Sequence, residues 1–108
     1  MRKIETQMNN AISEGTDWKS ANTRVKTIDD VSTVFLHGNK IAEIGDEFIR
    51  LFDGGWQTTT TKSRLNAILN VHGEQGDNVF QKDFTWYVRM NTAQGLSTVP
   101  FFSSMRLG

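Results

Sequence analysis

The sequence predicts an α+β domain, and three observations carry that reading. Apolar residues near the N-terminus recur at helical spacing; short alternating runs between Thr23 and Phe52 are broken by two-residue polar or glycine steps; a second helical stretch follows a glycine pair and a threonine run. A chain of 108 residues fits one domain spanning 1–108. At that length folding buries roughly two-thirds of the unfolded surface, enough for a core without staples.

Each element has its own signal. Ile4, Met8, Ala11 and Ile12 fall at i, i+4, i+7 and i+8, one face of a helix that Gly15 closes at C′. A helix this short needs a sheet to pack on. Residues 23–28 and 31–36 flank Asp29-Asp30 as a hairpin; Gly38-Asn39 leads into 40–44, and Gly45-Asp46 into 48–52. Asp53-Gly54-Gly55 closes this four-stranded meander, whose short connections require antiparallel neighbours. A second helix is predicted over 60–72, with Leu65, Ile68, Leu69 and His72 on one face and Gly73 as terminator. After a polar loop at 74–78, residues 79–82 and 84–90 form a C-terminal β-hairpin across Lys82-Asp83, followed by a tail with Pro100 and Phe101-Phe102.

Composition excludes several classes. With no cysteine there are no disulfides, Cys-ligated zinc, iron–sulfur clusters or thiol catalysis. Lysine plus arginine equals aspartate plus glutamate at 12 each, so any nucleic-acid role rests on a local patch. No apolar run approaches the roughly 18 to 20 residues of a membrane span. Met1 to Glu5 carries no apolar stretch of the secretory kind, so a cytosolic location, or a host cytosol, is expected.

The leading candidate site is the run from Thr58 to Arg64. No acidic residue lies between Gly54 and Gly73, although a helix's first turn favours Asp or Glu over cations such as Lys62 and Arg64. Free backbone N–H groups, hydroxyls and cations are the parts of an anion site, and a phosphate there would use Thr60, Thr61 or Ser63 beside Lys62 or Arg64. The glycine spacing of a P-loop is missing. In the plainer alternative one threonine caps the helix and the cations are solvated. Arg24 and Lys26 alternate with Thr23, Val25 and Thr27, which lines the outer face of one strand with cations, Lys19 nearby. That face makes a composite basic patch if it adjoins the second helix's start. The acids Glu43, Asp46, Glu47 and Asp53 outweigh Lys40 and Arg50 locally, making the chain dipolar at zero net charge.

Other residues carry less. Alternation puts Trp86, Val88 and Met90 in the core and Thr85, Tyr87 and Arg89 outside, a thin stacking platform. His37 reads as a turn residue and His72 as a cation complementing a helix C-terminus, with no metal-ligand spacing. Ser103-Ser104 has no base near it in sequence, and Asp29-Asp30 and Asp46-Glu47 read as turns, so no catalytic set, metal or cofactor is expected. Val99, Phe101 and Phe102 either pair back onto the sheet or meet another subunit.

Gly54-Gly55-Trp56, Thr59-Thr60-Thr61-Lys62, Arg64 and Asn66 form a Gly-Gly-aromatic, Thr-Thr-Lys-x-Arg-x-Asn pattern that resembles a signature of small uncharacterised proteins of tailed bacteriophages. The resemblance extends to Gly38 to Ala42, Val79 to Lys82 and Trp86 to Val88. It implies a phage origin and no assigned chemistry. The expectation is a non-enzymatic phage-type accessory protein acting in the host cytoplasm and off the membrane. It binds DNA or RNA phosphate through Lys62, Arg64, Thr60, Thr61 and Ser63, helped by Arg24 and Lys26. The alternatives are a protein-binding modulator of a host factor, or a structural component that self-assembles as a homo-oligomer through Phe101 and Phe102.

Overall fold

In the computed structural model, which describes residues 1–108, two helices and nine strands form an α+β fold with two antiparallel sheets. Helix α1 (Lys3–Glu14) ends where Gly15 adopts φ +67°, and the Gly15 N–H returns to the Ala11 and Ile12 carbonyls. Its buried side carries Met8, Ala11 and Ile12, three of the expected four. Strands β1 (Trp18–Ser20), β2 (Thr23–Ile28), β3 (Val31–Leu36), β4 (Asn39–Ile44) and β5 (Ile49–Leu51) follow as a meander. Helix α2 (Thr59–His72) leads to β6 (Asn78–Lys82), β7 (Thr85–Thr92) and β8 (Gly95–Pro100), and β9 (Met105–Leu107) ends the chain. The larger sheet has the order β1-β2-β3-β4-β5-β9, the smaller β6-β7-β8.

Two turns differ from the sequence reading by one residue, and backbone handedness explains both. Two-residue hairpins match strand twist when both central residues have positive φ. Asp29-Asp30 meets this as expected, with φ +51° and +64°. The β3–β4 turn is centred on His37-Gly38 and not Gly38-Asn39, at φ +52° and +79°. The β6–β7 turn is Asp83-Phe84, at φ +51° and +65°, so Phe84 leaves the strand and is 95% exposed. Strands β1 and β9 and the continuation of the tail as β8 are additions to the expected hairpin and meander.

The core is one cluster of 20 buried apolar residues between the large sheet and the helices. Helix α1 lies against β1, β2 and α2, while α2 bridges β4 and β6. Side-chain amides fasten these layers. The Asn9 amide donates to the Ala67 carbonyl at 3.0 Å, tying α1 to α2. Asn66 donates to the Val79 carbonyl at 2.8 Å and accepts from the Val79 N–H at 2.7 Å, tying α2 to the edge strand β6. Trp86 and Val88 close the core from the small sheet, with Phe101 set edge-on against Trp86 at 5.4 Å between centroids. A bulge at Val34/Phe35 pairs Val34 with Ala42 and Phe35 with Lys40, so Ile41 and Ala42 are both buried.

Candidate nucleic-acid interface

Thr58 caps α2: its hydroxyl oxygen accepts the Thr61 N–H at 3.0 Å, and the Thr61 hydroxyl lies 2.9 Å away. The Ser63 hydroxyl donates to Glu5 Oε2 at 2.7 Å. Arg64 is 3% exposed; it donates from Nη1 to Glu5 Oε2 at 2.8 Å, from Nε to Thr23 Oγ1 at 3.1 Å and from Nη2 to Asn22 Oδ1 at 3.3 Å. The expected anion site thus has its own internal anion. Glu5, in the first turn of α1, also accepts the Arg2 N–H at 3.4 Å. Burial pushes the Glu5 carboxyl up, but hydrogen bonds from Ser63, Arg64 and the Arg2 backbone outweigh it and hold the group below the usual carboxylate value. Thr60 and Lys62 keep half-buried positions outside this network, and Lys62 takes part in none of the four ion pairs.

Arg24 and Lys26 occupy the other side of β2. Thr23 and Val25 are fully buried toward the helices, so alternation turns Arg24 and Lys26 onto the opposite face of the sheet. That face is a tilted array built by strand register. Lys19 stands opposite Arg24, Arg24 opposite Phe35, and Phe35 opposite Lys40. In the neighbouring row Lys26 faces Thr33, Thr33 faces Glu43, Glu43 faces Arg50, and Arg50 faces Arg106. Three cations sit over rings: Arg24 over Phe35 at 5.7 Å, Lys40 over Phe52 at 4.6 Å, and Arg106 over Phe48 at 5.2 Å.

The charge of this array is lopsided. Six cations share it with two carboxylates, Asp17 and Glu43, while the chain as a whole is neutral. Lys26 pairs with Asp17 at 3.5 Å, and Glu43 with Lys40 at 3.2 Å and Arg50 at 3.8 Å. The Thr27 N–H, together with Lys26 and Arg24, holds the Asp17 carboxyl below its ordinary value. Exposed pairs of this kind contribute little to stability and are screened by salt. Lys19, Arg24 and Arg106 have no carboxylate partner. Directly opposed like charges, Lys19 with Arg24 and Arg50 with Arg106, destabilise a sheet.

Alternation in the sequence identifies Arg24 and Lys26, with Lys19 nearby, and the same period would place Phe48, Arg50 and Phe52 on one side of the chain around β5. Arg106 has no such local signal, because β9 has three residues and reaches the sheet only by returning to β5. On the small sheet, Phe80 and Tyr87 stack at 5.6 Å with Arg89 over Phe80 at 5.4 Å, a platform that includes the expected Tyr87 and Arg89. Phe101 is half-buried in its own chain and Phe102 is 61% exposed. His72 is pushed down by burial, which favours the neutral ring over the cation expected at the helix end. No three His, Asp or Glu side chains gather as a metal site requires, and no helix is long and apolar enough to cross a membrane.

The family model described as Kyanoviridae Gp96 protein matches residues 1–108. No curated protein and no solved structure matches the chain.

Proposed function

The chain belongs to the Kyanoviridae Gp96 protein family, a phage family, and we propose that this phage-type accessory protein binds nucleic acid on the open face of its six-stranded sheet, without catalysis, in the host cytoplasm. The observation that carries this reading is the strand register that sets like charges opposite each other twice, Lys19 with Arg24 and Arg50 with Arg106. Each lowers the stability of the free protein, and a polyanion relieves both. Arg24 and Lys26 are direct phosphate contacts. Thr60 and Lys62 belong to the helical layer, and Lys62 keeps a charge without an ion-pair partner there. Arg64, Ser63 and Thr61 act from inside: Arg64 holds Asn22 and Thr23, the residues immediately before Arg24. The phenylalanines beside the cations supply stacking surfaces for unpaired bases.

Titration of labelled single-stranded DNA, duplex DNA and RNA across a salt series tests this. Binding is expected to weaken steeply with salt, and Arg24→Glu/Lys26→Glu is expected to lose affinity at least tenfold while melting as the parent does. Equal affinity of parent and variant removes the proposal.

A protein partner is the second reading. It is favoured by two aromatics that the fold leaves in solvent, Phe84 at 95% exposure and Trp56 at 73%. A nuclease-insensitive host partner that is lost in Phe84→Ser/Trp56→Ser supports it, and capture that depends on nucleic acid rejects it. Self-assembly through Phe102 predicts a dimer or larger species in sedimentation, and a monomer at high concentration eliminates it.

A further inference from the structure

The open face ends in a cleft of about 360 Å³ between the β1–β2 turn and the β3–β4 turn. Lys19, Arg24, Phe35 and His37 line it, together with Ala21 to Thr23 and Gly38. The two turns are fastened to each other, since the His37 N–H donates to the Asn22 carbonyl at 2.8 Å. Asn22 is further held by the buried guanidinium of Arg64 and by the Thr23 hydroxyl, at 3.3 and 2.8 Å. Ala21 and His37 both take left-handed backbone, at φ +49° and +52°, which sets the shape of the two rims. The result is a small polar site built on fixed turns, within the size range of small-molecule pockets.

Its chemistry is mixed in a specific way. Lys19 and Arg24 face each other across the strand pair with no carboxylate within ion-pair distance of either. Beside them are two ring-bearing residues, Phe35, whose ring has the Arg24 guanidinium 5.7 Å from its centroid, and the exposed His37. Two unpaired cations next to two flat rings complement an anion joined to a planar heterocycle. We infer that the cleft seats one phosphorylated nucleoside, free or as one unit of an unpaired strand, with phosphate between Lys19 and Arg24 and base against Phe35 and His37. This rests on the sheet-face reading above and sharpens it. A base within a duplex is already stacked on its neighbours and cannot reach Phe35, so the cleft selects single strands.

Amide chemical-shift mapping with adenosine 5′-monophosphate, adenosine, inorganic phosphate and a single-stranded oligonucleotide tests the assignment, alongside Phe35→Leu. The nucleotide is expected to shift amides at 19–24 and 35–38, more strongly than adenosine or phosphate alone. Phe35→Leu is expected to weaken single-strand binding about five- to hundredfold, the range of one lost base stack, with an unchanged melting temperature. An oligonucleotide that binds more tightly than the nucleotide identifies a strand as the source. Nucleotide binding without oligonucleotide binding identifies the free molecule, keeps the cleft and removes the sheet-face reading. Salt-dependent oligonucleotide binding that shifts only Lys40, Arg50 and Arg106, or is untouched by Phe35→Leu, overturns the cleft and leaves the face. No shift with any probe overturns both.

Discussion

Arg64 and Arg24 approach the first residues of β2 from opposite sides of the large sheet, and their charges meet opposite fates. Arg64 reaches Thr23 from the helical layer, where Glu5 neutralises it out of water. Arg24, one residue further on, turns outward beside Lys19 with no carboxylate within ion-pair distance. Both belong to cationic stretches that break a local rule, one at a helix start and one across a strand pair. For Arg64 the helix-start conflict is resolved by tertiary structure, through a carboxylate 59 positions away, while Lys62 stays without an ion pair. The strand-pair conflict is only softened, by the Phe35 ring under Arg24 and by Asp17 beyond ion-pair distance. Only a violation still standing after folding points outward to a partner.

The largest effect of removing either arginine is expected on the buried side. Arg64→Ala strands the Glu5 carboxylate and is expected to cost about 3–5 kcal/mol of stability by urea denaturation. Glu5→Leu/Arg64→Leu, which removes both charges, is expected to recover most of that loss. A loss well below that range would show that the buried Glu5–Arg64 pair does not hold α1 and α2 to the start of β2.

Acid titration separates the same pair from the rest. Burial disfavours the charged form of His72, whose folded value lies below the ordinary 6.5. Its contribution is therefore complete above about pH 6.5 and declines as pH falls toward the folded value. Glu5, held below the ordinary 4.5, stabilises fully above that value and loses its contribution as pH falls through the folded one. The urea midpoint is thus expected to fall in two stages on acidification. His72→Gln should flatten the upper stage and Glu5→Gln the lower.

Thr58→Ala removes the cap of α2 and is expected to cost about 1 kcal/mol, read from the thermal midpoint. The smallest effect has the opposite sign. Lys19→Thr removes one of two opposed cations and no ion-pair partner, and it is expected to stabilise the free protein by about 0.2–1 kcal/mol. The same substitution should weaken nucleic-acid binding. A cation that lowers stability and raises affinity is the signature expected of a binding residue.

Much of the fold was legible because its signals are local. The spacing of Ile4, Met8, Ala11 and Ile12, the terminator Gly15 and the Asp29-Asp30 hairpin all act within a few residues. Strands β1 and β9 were hidden because three residues are too few for alternation to register. The Phe84 turn was hidden because φ at that position depends on strand twist, while its residue type argues for a strand. Half of the candidate site was legible in the same sense. Alternation alone turns Arg24 and Lys26 outward, whereas the pairing of Arg64 with Glu5 and of Arg50 with Arg106 needs the helices docked and β9 returned to β5.

Whether the open sheet face or the start of α2 meets the polyanion is decided by the salt dependence of single-strand binding. The slope of log affinity against log salt should be compared between the parent and Lys19→Thr/Arg106→Thr. Two lost phosphate contacts predict a slope shallower by about 1.4, with a melting temperature equal to or above the parent's. An unchanged slope in a folded variant would contradict the account.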